Sequence, residues 1–222
     1  MQQQANLNKF NYDDEPIRLF QSNFLELFTH CHPAVVAFLW LPIASYFMLA
    51  SLTNAQSGAW LYIPLTFALG VIIVWTFIEY VVHRFIFHMQ PKSPMAERLL
   101  FLLHEVHHVQ PNCKTRLVLP PIITIPGALV FYALFQTLVG SLLSQPEWVN
   151  SMFAGFMVGY VAYDLTHYAV HHFPLKGRFF KALKRHHMLH HFENPQERFG
   201  VTSPLWDFAF KTQPDDFMKT GR

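Results

Sequence analysis

Four long runs almost free of charge constrain this chain more than any other feature. Residues 33–53, 59–82, 117–143 and 148–170 hold only two acidic side chains, Glu79 and Asp164, and no Lys or Arg. About 20 apolar residues suffice to cross the hydrocarbon core of a bilayer, so each run is read as one membrane span. The turns between the first and second and between the third and fourth are too short to be anything but hairpin connections. The reading is an all-α integral membrane fold of four transmembrane helices in two hairpins. Composition agrees: 14% of residues are charged, against roughly 25% in soluble domains.

The spans also set the topology. Of 16 Lys and Arg, two precede the first run, five lie between the second and third, and nine follow the fourth. The positive-inside rule then places both termini and the segment 83–116 in the cytosol. Residues 1–20 lack the pattern of a cleavable leader, so the first span is expected to be an uncleaved anchor. Residues 1–16 read as a loose tail, and Ile17, Phe20, Phe24, Leu27 and Phe28 as one face of an interfacial helix over 17–30. Two units follow, an N-terminal part over 1–32 and a membrane-embedded domain over 33–222.

A net charge of +2, without basic stretches interleaved with aromatics, gives no reason to expect nucleic acid. Cys31 and Cys113 stand far apart and form no C-x-x-C pair, which argues against a disulfide framework and a thiolate metal site.

Ten of the 14 histidines fall in four clusters just past the second and fourth spans. They read HRFIFH (His83, His88), HEVHH (His104, His107, His108), HYAVH (His167, His171) and HMLHH (His187, His190, His191). All four fall on the side assigned to the cytosol, within a helical cap. Residues three or four apart share a helix face, so His167 pairs with His171, His104 with His107 or His108, and His187 with His190 or His191. His83 and His88, five apart, fit a helix end or a locally different winding. Ten imidazoles exceed any one shell and divide between two metals; a nitrogen-only set suits iron, zinc, copper or nickel. The coarse two-fold echo of the chain predicts two half-sites of five, one from each hairpin. Glu79, four before His83, and Asp164, three before His167, are placed to accept the second ring N–H of a ligand. His30, His32, His172 and His186 lie outside the paired pattern and are set aside. Two redox metals at a membrane surface suit oxidation of a lipid C–H bond. A metal transporter is the reading from another class, but transporters hold their ligands near mid-membrane.

The strings EYVVHRFIFH, HEVHHVQPNCKTRLVLPP, YDLTHYAVHHFP and KRHHMLHHFENPQERFGVTSPLWD resemble the fatty-acid hydroxylase superfamily (the sterol desaturase/fatty-acid hydroxylase type). RLVLPP and FGVTSPLWD bring the chain nearest to its fatty-acid 2-hydroxylase branch, ahead of the sterol and carotenoid oxidases of the same superfamily. The resemblance runs over about residues 20–212. It implies a non-haem dimetal monooxygenase that hydroxylates carbon 2 of a long acyl chain, free or lipid-linked, with O2 as co-substrate. The ten clustered histidines would be the ligands, iron the working metal, and zinc an occupant of the same sites in purified protein. Many eukaryotic members carry an N-terminal haem domain; the short N-terminal part here implies a separate electron donor of cytochrome b or ferredoxin type. Cys113 stands where the family usually has Asp, ahead of the matching Arg116. Arg116 and Tyr168 are candidate contacts to the lipid substrate.

Overall fold

The computed structural model describes residues 10–214. The first nine residues of the expected tail lie outside them. Among the described residues every regular element is a helix, and there is no strand. Its helices are α1 (Asn23–Leu27), α2 (Pro33–Thr53), α3 (Ala59–Phe87), α4 (94–109), α5 (Pro121–Leu142), α6 (Pro146–His172), α7 (Arg178–Phe192) and α8 (Leu205–Ala209).

Proline explains several of the starts. Pro33, Pro121 and Pro146 each sit in the first turn, where the missing N–H has no helical partner to lose. His32 caps α2, its ring accepting the amide of Ala34 at 3.1 Å. Residues 117–120, expected at the head of the third span, stay outside α5, and Leu117 and Val118 are buried in the core instead.

Among the described residues three helices, α2, α3 and α5, are long and apolar enough to cross a membrane. At 27 residues, α6 has the length but is less apolar, and it is buried along Val149–Val161 except at Asn150 and Val158. It packs against α2, α3 and α5 and so forms the centre of the bundle. By contrast α5 turns Ile122, Leu129, Val130, Leu138 and Leu142 outward, as lipid-facing side chains do.

Small residues let α6 approach α3 closely, the usual means of helix packing where lipid removes the hydrophobic drive. A Cβ on Gly155 would stand 2.1 Å from the carbonyl oxygen of Phe67, and one on Gly70 2.2 Å from that of Met152. Both obstacles are backbone, which cannot swing aside. Gly155→Val is expected to lower stability by about 1–3 kcal/mol, the usual cost of overpacking, as a drop in thermal midpoint in detergent; an unchanged midpoint would show that the two helices do not meet there.

The N-terminal part differs from its expected form. Only residues 23–27 are helical, because side chains compete for the preceding backbone. Glu26 accepts the amides of Leu19 and Phe20 at 3.0 and 2.7 Å, and Arg116 donates to the carbonyl of Ile17 at 2.6 Å. Nor is the tail loose from residue 11 onward. Buried Gln110 donates to the carbonyls of Asp13 and Glu15, and Lys114 pairs with Asp14 at 2.5 Å.

Candidate metal centre

The four histidine clusters converge at one end of the bundle. The expected local rewinding of α3 is present: Val82–Phe87 is a π-helical turn, and the amide of His88 bonds the carbonyl of His83 at 3.1 Å. A five-residue repeat brings His83 and His88 onto one face, which an α-turn would not do.

The ten rings form two groups of five, and within each group the candidate ligand atoms lie within 4.8 Å of one another. One group is His83, His88, His104, His108 and His190; the other is His107, His167, His171, His187 and His191. This corrects the expected half-sites. Each half of the chain supplies four rings to its own group and lends one to the other. Helix geometry gives the reason. His104 and His108, four apart, differ by about 40° around α4, whereas His107 and His108 differ by about 100°. The pair four apart therefore stays together while the middle ring turns to the neighbouring group. In α7 His187, His190 and His191 repeat the pattern.

In the first group Nε2 atoms approach at 3.1 Å (His83–His104), 3.2 Å (His83–His88), 3.0 Å (His104–His108) and 3.0 Å (His88–His190). In the second the separations are 2.9 Å (His107–His167), 3.1 Å (His107–His191) and 2.9 Å (His171–His187). The Nδ1 atoms of His83 and His190 lie 2.5 and 2.6 Å from the carbonyls of Phe199 and Glu197. A carbonyl only accepts, so in both rings Nδ1 carries the proton and Nε2 presents a lone pair. Lone pairs about 3 Å apart repel unless a cation lies between them. Metal–imidazole bonds of about 2.0–2.1 Å place neighbouring nitrogens about 3 Å apart at right angles. Donor type and spacing thus fit a metal in each group. Burial and neighbouring imidazoles hold His104, His107, His108, His187, His190 and His191 well below the usual imidazole range. The rings are neutral, as metal ligation requires.

Neither expected carboxylate touches a ring. Glu79 accepts the amides of Val201 and Thr202, at 2.5 and 2.9 Å, together with the hydroxyl of Thr202 and the indole N–H of Trp75. Asp164 is buried without a hydrogen bond to His167, and its Oδ2 has no hydrogen-bond partner among the described residues. The spacing along each helix was right for a ring contact, but Glu79 turns toward the returning loop and Asp164 toward a cavity. Asp207 went unnoticed in the sequence. It is buried and accepts the amides of Phe199 and Gly200 at 2.8 and 2.7 Å. The signal available was an acid closing the loop string FGVTSPLWD.

The four histidines set aside lie outside both groups. His30 sits between Glu26 and Thr115, His32 caps α2, His172 packs against Tyr168 with tilted rings 4.5 Å apart, and His186 lies 3.3 Å from Asp207. Arg116 is buried and bound to Glu26 at 2.7 Å. The partner of Arg116 is thus on the N-terminal strap, residues 10–32, and Cys113 lies buried beside Thr115. Tyr168 packs on His32, His172 and Phe173.

A cavity of about 320 Å³ leads from His83 and His104 into the bundle, walled by Trp40, Phe131 and Phe156 and bordered by Glu79, Tyr160 and Asp164. A second, of about 250 Å³, lies between the N-terminal strap and α4 and also reaches His104. Arg116 borders the second, while Tyr168 lines neither. The arrangement offers two metal positions, and the rings of one of them, His83 and His104, stand at the mouth of an apolar slot.

The fatty acid hydroxylase family model matches residues 67–212, a span containing all ten rings, Glu79, Asp164 and Asp207. A dihydroceramide fatty acyl 2-hydroxylase of Arabidopsis thaliana is 39% identical over 89% of this chain and 80% of its own length. The fatty acid 2-hydroxylase of Mus musculus is 37% identical over 89% of this chain, which spans 56% of that longer protein. Among solved structures, full-length scs7p, with only its hydroxylase domain visible, superposes with a TM-score of 0.81 at 38% identity. That match covers 93% of this chain and 75% of the other. By the extent of the family match and by these relatives, the chain belongs to the fatty acid hydroxylase family.

Proposed function

We propose that this chain is a membrane-bound, dimetal-dependent monooxygenase that hydroxylates carbon 2 of long acyl chains with O2. The observation that carries the reading is a pair of adjoining five-histidine groups, one of which opens through His83 and His104 onto an apolar cavity of about 320 Å³. The relatives named above as fatty acyl 2-hydroxylases and fatty acid 2-hydroxylases support the carbon specified. All ten clustered histidines serve as ligands. Bound iron supplies the oxidising power toward O2 that an unactivated C–H bond demands.

The chain's own residues do the rest. Trp40, Phe131 and Phe156 bind the alkyl tail within the bundle and exclude water from it. A tail seated there leaves the carboxyl end of the acyl group beside His83 and His104, so carbon 2 lies nearest the metals. Glu79 and Asp164 give the cavity wall its polar border. A slot so largely apolar suits an alkyl chain and offers no path for an ion, which weighs against transport.

In this reading α6 is the fourth span. The two hairpins then leave both termini and the histidine groups on the cytosolic face, as the Lys and Arg distribution supports. Electrons come from a separate cytochrome b or ferredoxin type protein. Exposed Lys176, Arg178 and Lys181, at the start of the helix that carries His187, His190 and His191, suit an acidic donor.

Expression in a host that lacks 2-hydroxy lipids, followed by lipid mass spectrometry, tests the reading. New 2-hydroxy acyl species are expected. Their absence from cells whose protein carries both metals would overturn it.

A further inference from the structure

Four consecutive amides, those of residues 199–202, end on two buried carboxylates. Asp207 takes Phe199 and Gly200, and Glu79 takes Val201 and Thr202. The two acids come from opposite directions, Glu79 from α3 and Asp207 from α8. Thr212 adds a hydroxyl to Asp207 at 2.8 Å, and Trp75 adds its indole to Glu79 at 3.2 Å. The segment has no room to shift: a Cβ on Gly200 would meet the carbonyl of Ser203 at 2.1 Å. Its first residue presents the carbonyl that receives the His83 proton.

We propose that Glu79 and Asp207 form a paired clamp on residues 199–202 that fixes the tautomer and position of His83, and so sets the affinity of one metal group without affecting the other. The asymmetry is visible in the rings. In the group of His83, Nδ1 of both His83 and His190 is held by carbonyls of the 197–199 segment. In the other group, Nδ1 of His107, His167, His187 and His191 has no hydrogen-bond partner among the described residues. Glu79 and Asp207 act through the backbone on a ligand, so they are positioning residues. A carboxylate that holds backbone amides does this better than an amide side chain. It offers two acceptor oxygens and no N–H to oppose the donors.

The clamp rests on the assignment of the ten histidines as ligands. Its test uses the full chain, loaded with zinc and challenged with a chelator. Two backgrounds separate the groups: His171→Ala leaves only the His83 group intact, and His88→Ala leaves only the other. Adding Glu79→Gln to the first background should raise zinc loss about 10- to 100-fold, the range known for removing the support of a ligand. Adding it to the second should change nothing. Thr202→Val, which deletes a single hydroxyl donor to Glu79, should shift the first background in the same direction by less. That variant keeps its size and shape, so the test holds even where Glu79→Gln does not fold. Equal zinc loss in both backgrounds, or none with either substitution, would overturn the clamp alone. A parent chain that retains no zinc would overturn the ligand assignment and the clamp together.

Discussion

His107→Ala is expected to empty the metal group made mainly by the second half of the chain, and His190→Ala the group made mainly by the first. Each variant should lose one metal equivalent and hydroxylation should fall below detection. Loss of an outer partner alone costs about 10- to 100-fold in metal affinity or activity, and a missing ligand removes more than that. The rings surrounding His107 are His167, His171, His187 and His191, all from beyond residue 145. Those surrounding His190 are His83, His88, His104 and His108.

Pairs of substitutions make the expectation sharp, since residues acting in one unit are not additive. His107→Ala with His171→Ala should still cost one equivalent, because both belong to one group. His107→Ala with His88→Ala should cost two. Elemental analysis of the purified variants decides between this and a division by sequence order, in which the two pairs would exchange outcomes. The crossing has a consequence for folding as well. Neither group is complete until both halves of the chain have come together, so metal binding reports assembly of the whole bundle.

The sequence disclosed which residues share a face but not which neighbour that face meets. The repeats at 167/171 and 104/108 locate rings on one side of a helix, and the five-residue gap of His83 and His88 foretells a rewound turn. Periodicity along one helix separates His107 from His104 and His108, and His190 from His187 and His191, but does not say which rings of another helix each will meet. Glu79 and Asp164 show the same limit. Both lie one turn from a ligand, yet the backbone amides that Glu79 accepts come from residues 201 and 202, the first of them 122 residues later in the chain. The uncharged run 33–53 coincides with the helix Pro33–Thr53, which starts on a proline behind the capping ring of His32. The N-terminal strap was not legible, since its apolar spacing suits a helix while Glu26, Gln110 and Arg116 claim its backbone. In the apolar run 148–170 the spacing of Gly155 and Gly159 points to a close helix contact, which the structure has, but not to α3 as the partner or to the burial of the helix at the centre of the bundle.

Gly127→Leu is expected to shorten the acyl chains that the protein accepts. Gly127 lines the apolar cavity, and a Cβ built on it meets nothing within 4 Å. It lies four residues beyond Ile123, which borders both cavities together with His104. At 1.5 Å per residue, that is about 6 Å further along α5, on the way to Phe131. Bulk at this point fills the path of the tail without touching a histidine. The helix itself should gain, since Gly costs about 0.8–1.0 kcal/mol more than Ala inside a helix. A leucine side chain displaces about four methylenes of substrate, each worth about 0.8 kcal/mol when buried. The loss for the longest chains is then about 3 kcal/mol, on the order of a hundredfold in kcat/KM. Chains too short to reach Gly127 should be hydroxylated as before. Lipid mass spectrometry of the 2-hydroxy products, sorted by chain length, reads this directly. A uniform fall at all lengths, with both metals retained, would show that the acyl tail does not lie in this cavity. A shift of the distribution toward short chains would place it there, with carbon 2 held at the histidines by the length of slot left open behind it.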